Sequence, residues 1–132
     1  FHAAMGNCVL PYMSKIMAER KRVVDRYDAQ LANLKQAFRF QVPENIKYNY
    51  PYYPFLIESE ELLLKLRDAL NAQEIHPRRY FYPSLNKLPY VKPVQMPVAE
   101  DVSKRMLCLP LFTQLTNDEA DNIIQIVKSV LN

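Results

Sequence analysis

RMLCLPLFTQLTNDEADNIIQIVKSVL, residues 105–131, is the stretch whose reading decides the fold. Arg105 to Leu109 is apolar enough for a strand, and Pro110 closes it because proline cannot donate to a sheet ladder. Thr116 and Glu119 then form a T-x-x-E capping box, in which each side chain satisfies the other residue's backbone N–H. Ala120, Ile123, Ile124, Val127 and Val130 follow at three-and-four spacing, which predicts an amphipathic helix with one buried face.

Upstream, the short helix predicted at Val98 to Ser103 leads into that strand. Arg78 to Tyr82, closed by Pro83, reads as another strand. Ser59 offers an N-cap with Glu60 and Glu61 in the first turn, and Leu62, Leu63, Leu66, Ala69 and Leu70 supply a buried stripe, so a helix is expected to end near Asn71. In YNYPYYPFLI, residues 48–57, Pro51 and Pro54 each remove a ladder donor, which pushes the strand toward a sheet edge or a late start and places it at about Tyr53 to Ile57. Met13 to Leu34 repeats apolar residues as one long helix, with Pro11 separating it from a shorter helix that includes Ala3 and Ala4. The order is helix, strand, helix, strand, strand, helix. It predicts an α+β fold with helices packed on a small, mainly antiparallel three-stranded sheet.

At 132 residues the chain has the length of one domain, and 49% hydrophobic with 23% charged residues is an ordinary globular composition. No apolar run approaches the roughly 20 residues needed to cross a bilayer, so no membrane partner is expected. The start, FHAAMGNCVLPYM, has neither the basic flank nor the cleavage pattern of a signal peptide and reads as the inside of a longer protein. Cys8 and Cys108 lack zinc-ligand spacing and sit among apolar neighbours, which predicts buried free thiols and a cytoplasmic setting. The net charge of +3 is spread among acids, as in AERKRVVDRYD, so no one-sided basic surface for nucleic acid is expected. With one glycine the chain has no glycine-rich phosphate cradle. The prolines, ten in all, fall mostly between Pro43 and Pro110, where they punctuate short strands and connections.

Several side chains are candidates for binding, each beside a plainer role. Arg78 and Arg79 can fork onto a phosphate, or they mark a solvated strand start with a surface ion pair, since adjacent strand residues point to opposite faces. Tyr80 and Tyr82 would share one face of that strand and offer hydroxyls and ring surfaces to a hexose, or one ring would pack into the core. Ser84, Asn86 and Lys87 follow Pro83 in an expected exposed loop, where binding residues concentrate. His2 lacks metal-ligand or acid-base partners and is expected to be a packed helix residue, and His76, before Pro77, a turn residue. ERKRVVDR reads as a solvated helix face. The tyrosine-rich 48–55 stretch has the rings of a single-strand nucleic-acid platform, but Pro51 and Pro54 interrupt it.

Three segments taken together resemble the DegT/DnrJ/EryC1/StrS family of nucleotide-sugar aminotransferases, which are fold-type-I pyridoxal-phosphate enzymes. FHAAMGNCVLPYMSKIMAERKRVVDRYDAQL (1–31) looks like the family's interdomain helix, RRYFYPSLNKLPY (78–90) like its substrate-side segment, and VAEDVSKRMLCLPLFTQLTNDEADNIIQIVKSV (98–130) like its closing strand and helix. The wording RRYFYPSLN is closest to members that aminate the 3-keto or 4-keto carbon of dTDP-linked deoxysugars. The resemblance implies that residues 1–132 are a single C-terminal small domain beginning in the interdomain helix, with the large cofactor-binding domain missing. The family's Schiff-base lysine, pyridine-pairing aspartate and ring-stacking aromatic would lie upstream of Phe1, as would the asparagine that reaches the partner subunit's cofactor phosphate. No catalytic or cofactor-binding residue is therefore carried over, and pyridoxal phosphate is expected in the full-length enzyme but not on this chain alone. The implied partners are the missing large domain, a nucleotide-sugar substrate, glutamate or glutamine as amino donor, and a second subunit in a homodimer. The implied substrate-binding residues are Arg79, Tyr80, Tyr82, Ser84 and Asn86, with the 84–87 loop at the active-site mouth and no histidine where members often carry one. A non-catalytic interaction module or truncated remnant that keeps the fold is the alternative.

Overall fold

The computed structural model describes every residue of the chain except Gln41 and Glu44. Helix α1 (His2–Val9) runs through a 3₁₀ turn at Leu10–Tyr12 into α2 (Met13–Leu31), with Pro11 inside the turn. Strand β1 (Ala37–Phe38), strand β2 (Tyr53–Ile57), α3 (Glu60–Asn71), α4 (Pro97–Arg105), β3 (Met106–Leu109) and α5 (Asn117–Leu131) follow.

The sheet is antiparallel throughout, in the order β1-β2-β3, with Tyr53 opposite Leu109, Leu56 opposite Met106 and Ala37 opposite Ile57. Strand β2 is central, but β1 pairs only Leu56 and Ile57, so at Pro54 the strand has a single neighbour, Cys108 in β3. That placement tolerates a residue with no N–H to give.

The core lies between one sheet face and helices α2, α3 and α5. Tyr53, Phe55 and Ile57 alternate inward from β2 and Leu107 and Leu109 from β3, meeting Tyr27, Leu63, Leu66, Leu70, Ile123, Ile124 and Val127 from the helices. Each such side chain contributes about 1.5–3 kcal/mol of transfer free energy when fully buried, so the 3.6 and 2.0 periodicities together select this packing. The helix starts are set by their caps. Ser59 Oγ accepts from Leu62 N at 3.2 Å, and Thr116 and Glu119 satisfy each other's backbone N–H groups. Arg26 grips Asp121 with two hydrogen bonds, tying α2 to α5.

Four expectations need correction. Residues 78–82 are not a strand: only Arg78 bridges Cys108, the chain turns at Tyr80 and Phe81, and Phe81 takes φ 55°, a left-handed conformation that ends ladder pairing. The third strand is Ala37–Phe38, in a connection too short to show period-2 alternation. Helix α2 stops at Leu31, and Leu34 packs on the core from the following turn. His2 and Cys8 are exposed, because nothing among the described residues packs on α1.

Candidate functional site

The segment between α3 and α4, residues 72–96, combines backbone turns, a bridge from Arg78 to Cys108 and a 3₁₀ turn at Leu85–Lys87 with a set of side-chain braces. Arg79 is its anchor. Its Nη2 donates to Glu60 Oε1 at 2.5 Å, where α3 begins, and to the Lys104 carbonyl at 2.9 Å, where α4 ends. Its guanidinium lies 3.4 Å from the centre of the Tyr82 ring. Arg79 holds the Glu60 carboxyl below the usual carboxylate range, chiefly through that hydrogen bond. With 15% of its side chain exposed, Arg79 clamps the segment rather than reaching into solvent.

Arg78 points the other way, as adjacent residues of an extended bridge must. It is exposed, and its Nη1 donates to the Tyr80 hydroxyl at 2.8 Å. The Tyr80 ring packs 4.6 Å from Tyr52, and the Tyr52 hydroxyl with Arg78 holds the Tyr80 hydroxyl below the usual phenol range. Tyr80 and Tyr82 therefore do not share a face: the turn at Phe81 sends Tyr80 to Tyr52 and Tyr82 to Arg79, with Phe81 itself protruding between them.

Ser84 is buried rather than exposed, and its hydroxyl bonds Asn86 Oδ1. Asn86 Nδ2 donates to the Val94 carbonyl at 2.7 Å and to Glu100 Oε1 at 2.7 Å. Glu100 also accepts from Met96 N at 3.1 Å and pairs with Lys87 at 3.0 Å, and these contacts, the Met96 N–H foremost, keep its carboxyl below the usual range. The amide of Asn86 is thus fully engaged in bracing a loop around Glu100. Sequence reasoning missed Glu100; the signal available was Pro97 at the first helical position, which sets Glu100 to reach back over the unpaired Met96 N–H.

Two clefts flank these elements. One, of about 850 Å³, opens between Arg20, Tyr52, Arg78, Tyr80, Phe112 and Asn122. Cys108 lies in its wall, but burial pushes that thiol up to about 11, so it is no nucleophile at neutral pH. The other, of about 720 Å³, runs along α2 beside Asp28, Phe38, Arg39, Phe40, Tyr48 and Tyr50. There Asp28 accepts from the Tyr53 hydroxyl at 2.9 Å and from Arg39, an arrangement that fixes the loop to the core. Among the described residues no cluster of His, Cys, Asp and Glu is disposed to hold a metal, and no helix is long and apolar enough to cross a membrane.

The family model described as the DegT/DnrJ/EryC1/StrS aminotransferase family matches residues 1–128, nearly the whole of this arrangement. The chain belongs to that family. A dTDP-4-amino-4,6-dideoxy-D-glucose transaminase of Escherichia coli is 28% identical over 98% of the chain and 36% of its own length. The aminotransferase TlmJ of Streptoalloteichus hindustanus shares the fold with a TM-score of 0.89 at 21% identity, over 98% of this chain and 35% of that one. The PLP form of the sugar aminotransferase Spr1654 of Streptococcus pneumoniae aligns with a TM-score of 0.83 at 25% identity, over 98% of this chain and 36% of that one. The chain thus spans about a third of the length of the DegT/DnrJ/EryC1/StrS relatives it matches.

The lysines of this chain do not fit the Schiff-base role in the family's cofactor chemistry. A lysine that forms a Schiff base needs a desolvated or charge-tuned site to lower its pKa. Lys15, Lys21, Lys35, Lys47, Lys65, Lys87, Lys92 and Lys104 are exposed, and Lys128 is half-exposed with its ammonium on Gln30.

Proposed function

We propose that this chain is the C-terminal small domain of a pyridoxal-phosphate aminotransferase that aminates a nucleotide-linked keto-deoxysugar, with glutamate as amino donor and the cofactor held by residues outside this sequence. The observation carrying this reading is the match of nearly the whole chain to one third of several sugar aminotransferases. In such an enzyme the cofactor supplies the electron sink, and the protein supplies orientation and proton transfer.

The part assigned to this chain is orientation of the sugar. Phe81 and Tyr82 present exposed ring surface suited to the apolar face of a hexose, and the Tyr82 hydroxyl can exchange hydrogen bonds with its substituents, whereas the Tyr80 hydroxyl is held by Arg78. Arg79 serves by fixing Tyr82 and the two helix ends, while Ser84 and Asn86 hold the loop shape through Glu100. None of these side chains is assigned a proton-transfer step. Amination would belong to the complete enzyme, in the cytoplasm and as a homodimer by analogy with the family.

The test is to mix this chain with pyridoxal phosphate, reduce with borohydride and map the adducts by mass spectrometry. Scattered, substoichiometric labelling of surface lysines is expected. Stoichiometric modification of one lysine, with accompanying amino transfer, would overturn the assignment of the cofactor to another part of the enzyme.

A further inference from the structure

Residues 85–96, LNKLPYVKPVQM, hold no buried side chain, and no residue between Ile75 and Leu107 belongs to the hydrophobic core. Leu85, Tyr90, Val91, Val94 and Met96 are exposed. The backbone bonds of the segment are local: Lys87 N donates to Ser84 O at 2.8 Å, Leu88 N to Leu85 O at 3.2 Å and Val91 N to Leu88 O at 3.1 Å. Its ties to the rest of the fold converge on one carboxylate. Glu100 Oε1 accepts from Asn86 Nδ2 at 2.7 Å and from Met96 N at 3.1 Å, and Glu100 Oε2 pairs with Lys87 Nζ at 3.0 Å. Among the described residues no other side-chain hydrogen bond or ion pair joins 85–96 to a helix or strand. Asn86 Nδ2 also donates to the Val94 carbonyl at 2.7 Å, so the amide that meets Glu100 holds the two limbs of the loop together.

Both ends of the segment are fixed by contacts that do not involve Glu100. Arg79 pins Tyr82 on one side, and Pro97 opens α4 on the other. Between them, the entropy lost in ordering residues 85–96 is offset by one charge-assisted cluster and by no apolar burial. A segment closed by so few contacts opens locally, at a free energy well below that of global unfolding. We propose that residues 85–96 form a strap latched by Glu100, which opens and closes as a unit while the core stays folded. Opening draws Asn86 away from Glu100 and loosens Ser84, whose hydroxyl bonds Asn86 Oδ1 two residues from Tyr82. The strap thus gates the rim around Tyr82, a step that rests on the assignment of that rim to the sugar. Glu100 is a positioning residue here, acting through Asn86 and Lys87.

The experiment is amide hydrogen exchange of this isotope-labelled chain, followed by NMR, in the parent protein, Glu100→Ala and Asn86→Ala. The amides of Lys87, Leu88 and Val91 bond backbone carbonyls and not Glu100, so they report the strap and not the deleted contact. In both variants their exchange should quicken together, by about 10-fold or more, while Leu63, Leu107 and Ile124 in the core change by less. Faster exchange at Met96 alone, whose N–H bonds Glu100 directly, would overturn the latch, as would unchanged strap rates in either folded variant. An equal increase in strap and core would overturn local opening, because it reports global destabilisation. Glu100→Ala lies on α4 and Asn86→Ala in the strap, so if one fails to fold the other decides. In the complete enzyme, Glu100→Ala should raise KM for the nucleotide sugar about 5-fold or more, with KM for glutamate unchanged. An unchanged sugar KM beside a strap that opens would overturn the gating alone. Absence of amino transfer to any nucleotide sugar by the parent enzyme would overturn the proposed function and with it the gating, while the exchange rates still decide the latch.

Discussion

The guanidinium of Arg79 is sandwiched between the Tyr82 ring, 3.4 Å from its centre, and the joint of two helices, where it bonds Glu60 and the Lys104 carbonyl. A lysine has neither the planar face to stack nor the fork to bridge both acceptors. Arg79→Met and Arg79→Lys should therefore both lower stability by about 1–3 kcal/mol in urea denaturation, through the uncovered Tyr82 ring and the lost bond to Lys104. A stable Arg79→Lys protein would show that the stack and the fork contribute little.

Removal of the Thr116 hydroxyl leaves the Glu119 N–H unpaired at the start of α5, the helix that supplies Ala120, Ile123, Ile124, Val127 and Leu131 to the core. Thr116→Ala should cost about 1 kcal/mol, and Thr116→Ser almost nothing. Equal losses in the two variants would separate the effect from capping.

Glu60, Glu100, Asp101, Glu119 and Asp121 all have folded-state pKa values lowered by hydrogen-bond partners. A group depressed in this way stabilises the fold above its unfolded pKa, about 4 for carboxylates, and loses that contribution as pH falls through the folded value. Thermal unfolding should be insensitive to these groups above about pH 6 and should drop progressively below about pH 5. Glu100→Gln should flatten the acid limb, and an unchanged slope in that variant would remove Glu100 from the account.

Phe1, Met5, Val9, Leu10, Tyr12 and Met13 are exposed along α1, the turn after it and the start of α2, with none of the α1 residues buried. Apolar patches of several hundred Å² usually mark association surfaces. Light scattering of this chain should show concentration-dependent association that Met5→Glu with Leu10→Glu abolishes. A monomer at high concentration would count against a partner on this face.

Tyr82→Phe keeps the ring over Arg79, whereas Asn86→Ala breaks the brace to Glu100 and Val94. In a complete enzyme carrying this segment, Tyr82→Phe should reduce kcat/KM for the sugar half-reaction by roughly 5- to 150-fold with Tm unchanged, corresponding to about 1–3 kcal/mol of substrate hydrogen bonding. Asn86→Ala should lower Tm as well. A Tyr82→Phe enzyme that loses the glutamate half-reaction equally would return Tyr82 to a packing role.

Where the sequence carried long periodicity or a cap, the elements were legible: β2 falls at Tyr53–Ile57, α3 runs from the Ser59 cap to Asn71, and α5 begins behind its capping box. Ala37–Phe38 was not legible, because a two-residue strand exists only by pairing with Leu56 and Ile57. The candidate site was legible in composition but not in geometry. RRYFYP alternates like a strand, yet the left-handed turn at Phe81 separates Tyr80 from Tyr82, and the partners that turn Arg79 inward, Glu60 and Lys104, lie 19 residues before it and 25 after it.

The central claim is tested most directly by assaying the complete enzyme that contains this segment for transfer of the glutamate amino group to a panel of dTDP-linked 3-keto and 4-keto deoxysugars, with products resolved by mass spectrometry. An aminated nucleotide sugar is the predicted product. Efficient amino transfer from glutamate to simple 2-keto acids, with every nucleotide sugar left unaminated, would contradict the account.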